Sequence, residues 1–158
     1  EERVREIEAN TGPIEVAIYN LGAQIGDRSL QNTGYKAFEM GWRLATFGLF
    51  RLASVLCPLM QARGKGTIIV TSATAAVRGN SGQHSHASAM AGRRMLCQSL
   101  NAEFSAKGIH IAHIVIDGAV DAGVQVFIDV VDDEVAEDFG ELEEEEVVDH
   151  LEVAGRGI

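Results

Sequence analysis

Short apolar runs that alternate with long helical patterns constrain the fold of this chain more than any other feature. Three runs rich in Ile and Val predict strands, and the residues between them have the three- and four-residue apolar spacing of helices. The predicted strands are residues 14–19, 67–72 and 109–116, and the predicted helices are about 1–10, 35–62 and 85–105. Helices of this length between successive strands favour parallel pairing. The pattern therefore predicts an α/β fold.

The predicted strands contain few polar residues. Apart from Glu15, residues 14–19 show no polar alternation, so we expect this strand to be covered on both faces. With helices on both sides, the fold would be a three-layer α/β/α arrangement around a parallel sheet. Three strands alone would leave two bare sheet edges, and such edges invite pairing or aggregation. We therefore expect either that the sheet is incomplete at its N-terminal side or that something else covers that edge.

The two longer predicted helices have apolar faces of different kinds. In residues 35–62 large apolar side chains recur at intervals of three and four, as in Trp42, Leu49 and Leu56. In residues 85–105 the apolar face consists mostly of small side chains, which let helices approach one another closely. The second of these helices is therefore a candidate for a helix-to-helix interface.

The negative charge of the chain is concentrated at its C-terminal end. The formal net charge is −10, yet residues 121–158 contribute −13 and residues 1–120 contribute +3. The apolar segment 124–131 fits either a strand or a helix. The run Glu143–Glu146 fits a solvated helix start, where negative charge is favourable, but also a partner-docking patch or a divalent-ion site.

The length of 158 residues fits one domain with a real core. We expect that domain over residues 1–122, with residues 123–158 as an acidic extension packed on it or flanking it. No basic cluster points to nucleic acid, and no apolar run approaches the about 20 residues of a membrane span. Cys57 and Cys97 lie in apolar helical patterns typical of buried thiols. These features favour a cytoplasmic protein.

Four motifs in succession resemble the short-chain dehydrogenase/reductase family over about residues 1–122. The family's G-P-I-D-x-L-V-N-N-A-G segment is matched by TGPIEVAIYNLGA, and its G-x-I-V-N-I-S-S strand by GKGTIIVTSAT. Its Y-x-x-x-K pair is matched by HASAM, and its x-P-G-x-V-x-T loop by VIDGAVDA. The resemblance implies a Rossmann-like fold that lacks the family's N-terminal βαβ unit. It also implies NAD or NADP as cofactor at the C-terminal ends of the strands.

The resemblance further implies an oxidoreductase that moves a hydride between its cofactor and a small carbonyl or alcohol. Asn20 and Gly22 match the Asn and Gly of the first motif, and Asp117 and Gly118 match the late loop. These four are the candidate cofactor-binding residues. The family's G-x-x-x-G-x-G turn, which holds the pyrophosphate at a helix N-terminus, does not occur in this sequence.

The catalytic positions of the family carry different residues in this chain. The tyrosine position is His86, the lysine position is Met90, the serine position is Ala73 and the position of the relay asparagine is Ala45. A thioether carries no positive charge with which to lower the pKa of a neighbouring acid. The sequence therefore predicts a catalytically impaired protein.

Two side chains remain candidates for catalysis. His86 titrates near neutral pH and could act as an acid or base, although a structural role at the helix start or a ligand contact without chemistry also fits. Ser72 is a hydroxyl next to the serine position. No metal site is predicted, because His84 and His86 are two residues apart, a poor spacing for one helix face.

Two functions remain as alternatives. One is an impaired oxidoreductase, a pseudoenzyme that keeps a carbonyl or alcohol ligand and a nicotinamide cofactor. The other is a non-catalytic dimerisation or regulatory partner, which pairs with itself or with an active relative through helices 35–62 and 85–105.

Overall fold

A computed structural model describes residues 1–22, 29–117 and 125–130. Helices and strands alternate along them as the sequence predicts, which confirms the α/β class. In chain order the elements are α1 (Glu2–Asn10), β1 (Val16–Tyr19), α2 (Tyr35–Trp42), a π-helical turn (Arg43–Phe47), α3 (Gly48–Arg63), β2 (Gly66–Ala73), α4 (His84–Phe104), β3 (Ile109–Asp117) and β4 (Gln125–Val130). Short 3-10 turns follow β2 at Thr74–Ala76 and α4 at Ser105–Lys107.

The four described strands form one sheet in the order β1-β2-β3-β4. β1 pairs with β2 and β2 with β3, both in parallel, as expected for strands joined by helical crossovers. β4 pairs antiparallel with β3, from Ala112 opposite Val130 to Asp117 opposite Gln125. The segment 124–131 therefore contains a strand, and the predicted acidic extension contributes that strand to the same sheet. The remainder of the extension lies outside the described residues.

One face of the sheet carries the core. The register places Ala17 of β1 beside Ile68 of β2, and Ile68 beside Ile111 of β3. Ile68 and Ile111 are completely buried in a cluster with Leu56 of α3 and Cys97 of α4. Burying a side chain of this size contributes about 1.5–3 kcal/mol each. Helices α3 and α4 are therefore held on the sheet mainly by this cluster.

The opposite face of the sheet corrects one prediction. Val16 and Ile18 of β1 are 55% and 67% exposed, so the strand is not covered on both faces. Among the described residues, α1, α3 and α4 all contribute to the cluster on the core-bearing face. These residues therefore form two layers of the expected three-layer arrangement. An apolar strand face has the same sequence pattern whether or not another layer covers it.

The helix predicted over residues 35–62 continues to Arg63 but is not α-helical throughout. In the π-helical turn the amide of Gly48 donates to the carbonyl of Arg43, five residues earlier. Gly64 then ends the helix in the left-handed region, with φ of 70°. Glycine adopts that conformation without the Cβ clash that other residues suffer, so it is suited to this position.

The combined helix Tyr35–Arg63 is long and apolar enough to cross a membrane by length and composition, with a mean hydropathy of 1.4. Its inner face is packed into the protein, because Leu49, Leu56 and Met60 are completely buried in the core cluster. The core helix of a soluble protein meets the same criterion. We therefore interpret it as the central core helix of the α/β fold.

The inner face of α4 differs from the apolar face predicted for it. Met95, a large apolar residue of this helix, is 51% exposed, whereas some of the buried residues of α4 are polar. Its buried residues are His86, Ala89, Met90, Arg93, Cys97 and Asn101. The small residues of α4 serve a contact inside the chain: a Cβ added to Gly92 would lie 3.0 Å from the hydroxyl oxygen of Thr46 in the π-helical turn.

Candidate functional site

The candidate site lies at the C-terminal edge of the parallel strands. β1 ends at Tyr19 and is followed by Asn20, whose side-chain oxygen accepts a hydrogen bond from the hydroxyl of Thr71 on β2. Gly22 is exposed, and apart from its chain neighbours no atom of the described residues lies within 4 Å of the place where its Cβ would be. The backbone after β1 is therefore open to a ligand on one side. Asp117 is the last residue of β3, and Gly118 lies outside the described residues.

The structure brings Ser72 and Met90 together. The Ser72 hydroxyl donates to the thioether sulfur of Met90 over 3.6 Å, and the two residues are only 9% and 2% exposed. Ser72 therefore faces α4 rather than the open edge of the sheet. Its neighbour Ala73 closes β2 and, because side chains alternate along a strand, lies on the other face.

The positions of the relay asparagine and of the lysine also converge, but as an apolar cluster. Ala45 is completely buried and packs in one cluster with Met90. Ala75, Ala76 and Ala89 complete this cluster. His86, in the first turn of α4, is buried to 6% exposure one helical turn before Met90. Three of the four positions matched to the family's catalytic residues thus hold side chains without a hydrogen-bonding group.

Arg93 occupies the interior beside this cluster, and the sequence analysis did not single it out. It is 1% exposed, and its guanidinium donates to three main-chain carbonyls. The acceptors are Ala45 over 3.0 Å, Thr71 over 2.6 Å and Leu21. Burial lowers the pKa of the guanidinium, but Arg keeps its proton in proteins. The available signal was periodicity, since position 93 lies three residues after Met90 on the same helix face.

Tyr19 is the second residue that the sequence analysis missed. The Arg93 guanidinium lies over its ring, 5.3 Å from the centroid, at a distance suited to a cation–π interaction. Its hydroxyl donates to the carbonyl of Leu44 in the π-helical turn. Burial raises the pKa of the phenol, and the charge of Arg93 partly opposes that rise. No local sequence signal marks this contact, which spans 25 residues.

Parallel strands joined by helical crossovers, with the candidate residues at their C-terminal edge, define a Rossmann-like α/β protein. The sequence model described as short chain dehydrogenase matches residues 1–134. This match covers most of the chain, and we conclude that the chain belongs to the short-chain dehydrogenase family. The resemblance inferred from the four motifs is confirmed.

Relatives of known structure agree with this assignment. A short-chain dehydrogenase from Rhodopseudomonas palustris is 36% identical, with a TM-score of 0.66 over 70% of this chain and 51% of its own. Gluconate 5-dehydrogenase from Burkholderia cenocepacia J2315, in complex with NADP and tartrate, is 25% identical, with a TM-score of 0.64 over 68% of this chain and 42% of its own. These neighbours support the Rossmann-like fold.

Nodulation protein G from Azospirillum brasilense is 29% identical over 108 residues, which are 68% of this chain and 44% of that protein. The chain therefore spans about half the length, or less, of the relatives it matches.

The described residues do not fit a catalytic nicotinamide cofactor. The lysine position is a buried thioether, which offers no ammonium to ribose hydroxyls. The nearest cation along the helix, Arg93, donates to three main-chain carbonyls. At the described part of this edge, the open backbone around Gly22 has room for a ligand but supplies no charge. No catalytic step through such a cofactor follows from this geometry.

Proposed function

We propose that this chain is a catalytically inactive member of the short-chain dehydrogenase family, a pseudoenzyme that keeps the scaffold without the proton-transfer chemistry. The observation that carries the proposal is the packing of Met90 against the Ser72 hydroxyl and Ala45 inside one buried cluster. Carbonyl reduction needs a proton donor whose pKa is tuned to the working pH. The cluster contains no charge that could tune one.

The two remaining candidates do not replace the missing groups. The Ser72 hydroxyl is directed at the Met90 sulfur on the buried face of the sheet. His86 is an imidazole whose neighbour one turn along α4 is that same uncharged sulfur. An imidazole can act as a general acid, but only within about 3 Å of the atom that receives the proton. His86 is buried to 6% exposure, so a substrate oxygen would need to enter the core to meet it.

Binding of a nicotinamide cofactor is expected to be weak for the same reason. NAD or NADP binds the family's other members, as the complex of gluconate 5-dehydrogenase with NADP illustrates. In this chain Met90 removes one cation from that region, and Arg93 is already committed to Ala45, Thr71 and Leu21. A carbonyl or alcohol ligand would meet the edge at Asn20 and Gly22 without an acid to protonate it.

The experiment is a titration of the purified protein with NADH and NADPH by fluorescence, followed by turnover assays on simple ketones. Gluconate 5-dehydrogenase from Burkholderia cenocepacia, titrated with NADPH, serves as the positive control for cofactor binding. We expect no turnover, and no gain from the combined changes Ala73→Ser, His86→Tyr and Met90→Lys in this chain. Turnover by the unmodified protein, abolished by His86→Ala, would refute the proposal.

A second candidate function, a dimerisation partner, is favoured by one exposed surface. Large apolar side chains line the outer face of α2, the π-helical turn and α3, and we call this surface the aromatic face. Its members and their exposed fractions are Phe38 at 41%, Trp42 at 43%, Phe47 at 37% and Phe50 at 52%. Contiguous exposed apolar surface of this kind marks an interaction site. We propose that it pairs with a second copy of the chain or with an active relative.

Sedimentation velocity tests this second function. We expect the unmodified chain to sediment as a dimer and Phe50→Glu to sediment as a monomer, because Phe50 is the most exposed ring of the face and a carboxylate buried there without a partner is costly. Val77→Glu is the matched control, since Val77 is 56% exposed and lies outside the aromatic face. This function would be excluded if the unmodified chain stayed monomeric at tens of micromolar and formed no complex with an active relative in a mixing experiment.

A further inference from the structure

The carbonyls of the π-helical turn are held by side chains from distant elements. A π turn replaces the i to i+4 hydrogen bonds of an α-helix with i to i+5 bonds, as between the Gly48 amide and the Arg43 carbonyl, and this shift in the ladder leaves carbonyls that can accept from other donors. The Leu44 carbonyl accepts from the Tyr19 hydroxyl of β1, and the Ala45 carbonyl accepts from the Arg93 Nε of α4 over 3.0 Å. Two consecutive carbonyls of the turn are therefore satisfied from outside the helix.

The turn is shaped to admit these donors. A Cβ at Gly48 would lie 2.2 Å from the hydroxyl oxygen of Tyr19, so only glycine leaves room for the phenol. On the other side, the Thr46 hydroxyl donates to the carbonyl of Ala89 over 2.8 Å, which ties the turn to α4. The guanidinium of Arg93 lies over the Tyr19 ring, so the two donors also contact each other.

The same turn arranges the exposed aromatic rings. In an α-helix of 3.6 residues per turn, side chains five positions apart point about 140° away from each other. Trp42 and Phe47 are five apart, yet their rings stack at 5.8 Å with an interplanar angle of 14°. Phe50 continues the stack from Phe47 at 6.3 Å and 16°. The wider turn therefore brings Trp42 alongside Phe47, while Phe47 and Phe50 are three residues apart and are neighbours on a regular helix as well.

We propose that Tyr19 and Arg93 form a clamp that holds residues 43–47 in the π conformation, and that the clamp thereby positions Trp42 and Phe47 for stacking. The clamp supplies a hydroxyl and a guanidinium as donors to two consecutive carbonyls of the turn. Both are positioning residues for the aromatic face. The clamp determines the shape of that face whether or not the face binds a second chain.

The sole tryptophan of the chain reports directly on this arrangement, since Trp42 is the first residue of the stack. Tyr19→Phe removes one oxygen from the clamp, and Arg93→Met removes the guanidinium but keeps an unbranched stem. For both variants we expect a loss of the Trp42 near-ultraviolet circular dichroism band and greater quenching of Trp42 fluorescence by acrylamide. Arg93→Lys, which keeps a cation with fewer donor directions, should fall between Arg93→Met and the unmodified chain.

Matched controls are available in the same chain. Tyr35→Phe changes the only other tyrosine, which is 95% exposed, and Arg5→Met changes an exposed arginine on α1. Both should leave the Trp42 signals unchanged. All samples are compared at one concentration, with sedimentation velocity to separate a change in the turn from a change in association.

An unchanged Trp42 spectrum in Tyr19→Phe, in a variant that retains its far-ultraviolet spectrum and cooperative unfolding, would overturn the proposal. A change that accompanies only dissociation, and that Phe50→Glu reproduces, would overturn it as well. Should Arg93→Met fail to fold, Tyr19→Phe decides the outcome alone, since it preserves the ring and its packing.

Discussion

A single added methyl group at Gly48 should reveal how tightly the Tyr19 phenol fits the π-helical turn. The new Cβ would lie 2.2 Å from the phenol oxygen and 3.3 Å from the ring carbon that carries it. The phenol would have to move, which breaks its hydrogen bond to the carbonyl of Leu44. Overpacking of this kind costs about 1–3 kcal/mol, and the better helix propensity of Ala offsets about 0.5–1 kcal/mol of it.

Removing the phenol oxygen should remove most of that penalty. In the Tyr19→Phe background the nearest side-chain atom to the new Cβ is the ring carbon at 3.3 Å, a distance that small adjustments accommodate. The lost hydrogen bond contributes about 1 kcal/mol, and it is lost in either order of mutation. We therefore expect Gly48→Ala to destabilise the unmodified chain by about 2 kcal/mol and to be nearly neutral when Tyr19→Phe is already present, a coupling within the range for contacting residues.

The assay is unfolding of the four proteins of the cycle by urea and, separately, by heat, each monitored by circular dichroism. For a chain of this size the single Gly48→Ala change should lower Tm by about 4–8 °C. Gly79→Ala is the control, because Gly79 has no atom within 4 Å of its Cβ position. An equal penalty for Gly48→Ala in the unmodified chain and in the Tyr19→Phe variant would refute the reasoning, because the clash would then not involve the phenol oxygen.

Three further predictions concern stability and reactivity. Hydrogen bonds from the backbone amide of Ile14 and then from the Arg63 guanidinium hold the pKa of Glu8 below its ordinary 4.5. The stability that the Glu8 carboxylate contributes is therefore present above pH 4.5 and is lost as pH falls through the lowered pKa. Glu8→Gln should flatten the acid arm of a stability–pH profile. Burial raises the pKa of the Cys57 thiol to about 11, so iodoacetamide should label this thiol only on unfolding. The stability that its neutral form contributes should be lost as pH rises from 9 toward 11. Rapid labelling of Cys57 in the native protein would contradict the expected protection. Gly108→Ala should cost about 2 kcal/mol or more, because φ there is +80° and the Cβ would lie 2.1 Å from the Gly64 carbonyl oxygen, whereas Gly79→Ala should leave the denaturation midpoint unchanged.

Much of the fold could be predicted because strand and helix periodicities are local. The parallel pairing of β1, β2 and β3 followed from the helical patterns between them, and the structure confirms it. The coverage of β1 was predicted wrongly, since the exposure of Ile18 depends on a second layer that no local pattern encodes. Segment 124–131 stayed ambiguous because a short apolar run fits both periods, and pairing with β3 is what makes it a strand.

The sequence proposed residues for the candidate site, but it could not predict their contacts. Motif spacing placed Ala45 and Met90 at positions of catalytic residues, and the structure brings both into one cluster. The contact between Ser72 and Met90 depends on which face of β2 meets α4, so it could not be assigned in advance. Arg93 was missed because a charged residue on a helix is exposed in most proteins.

The amino-acid sequence by itself determined the family and the order of strands and helices, and it predicted the replacement of the family's catalytic residues by Ala45, Ala73, His86 and Met90. These properties depend on residue identity and on spacings of a few residues along one element. Only the tertiary structure decided that Tyr19 and Arg93 join β1, β2 and the π-helical turn, and that three aromatic rings stack on its outer face. The guanidinium of Arg93 and the carbonyl of Leu21 are 72 residues apart in sequence, and packing alone brings them together.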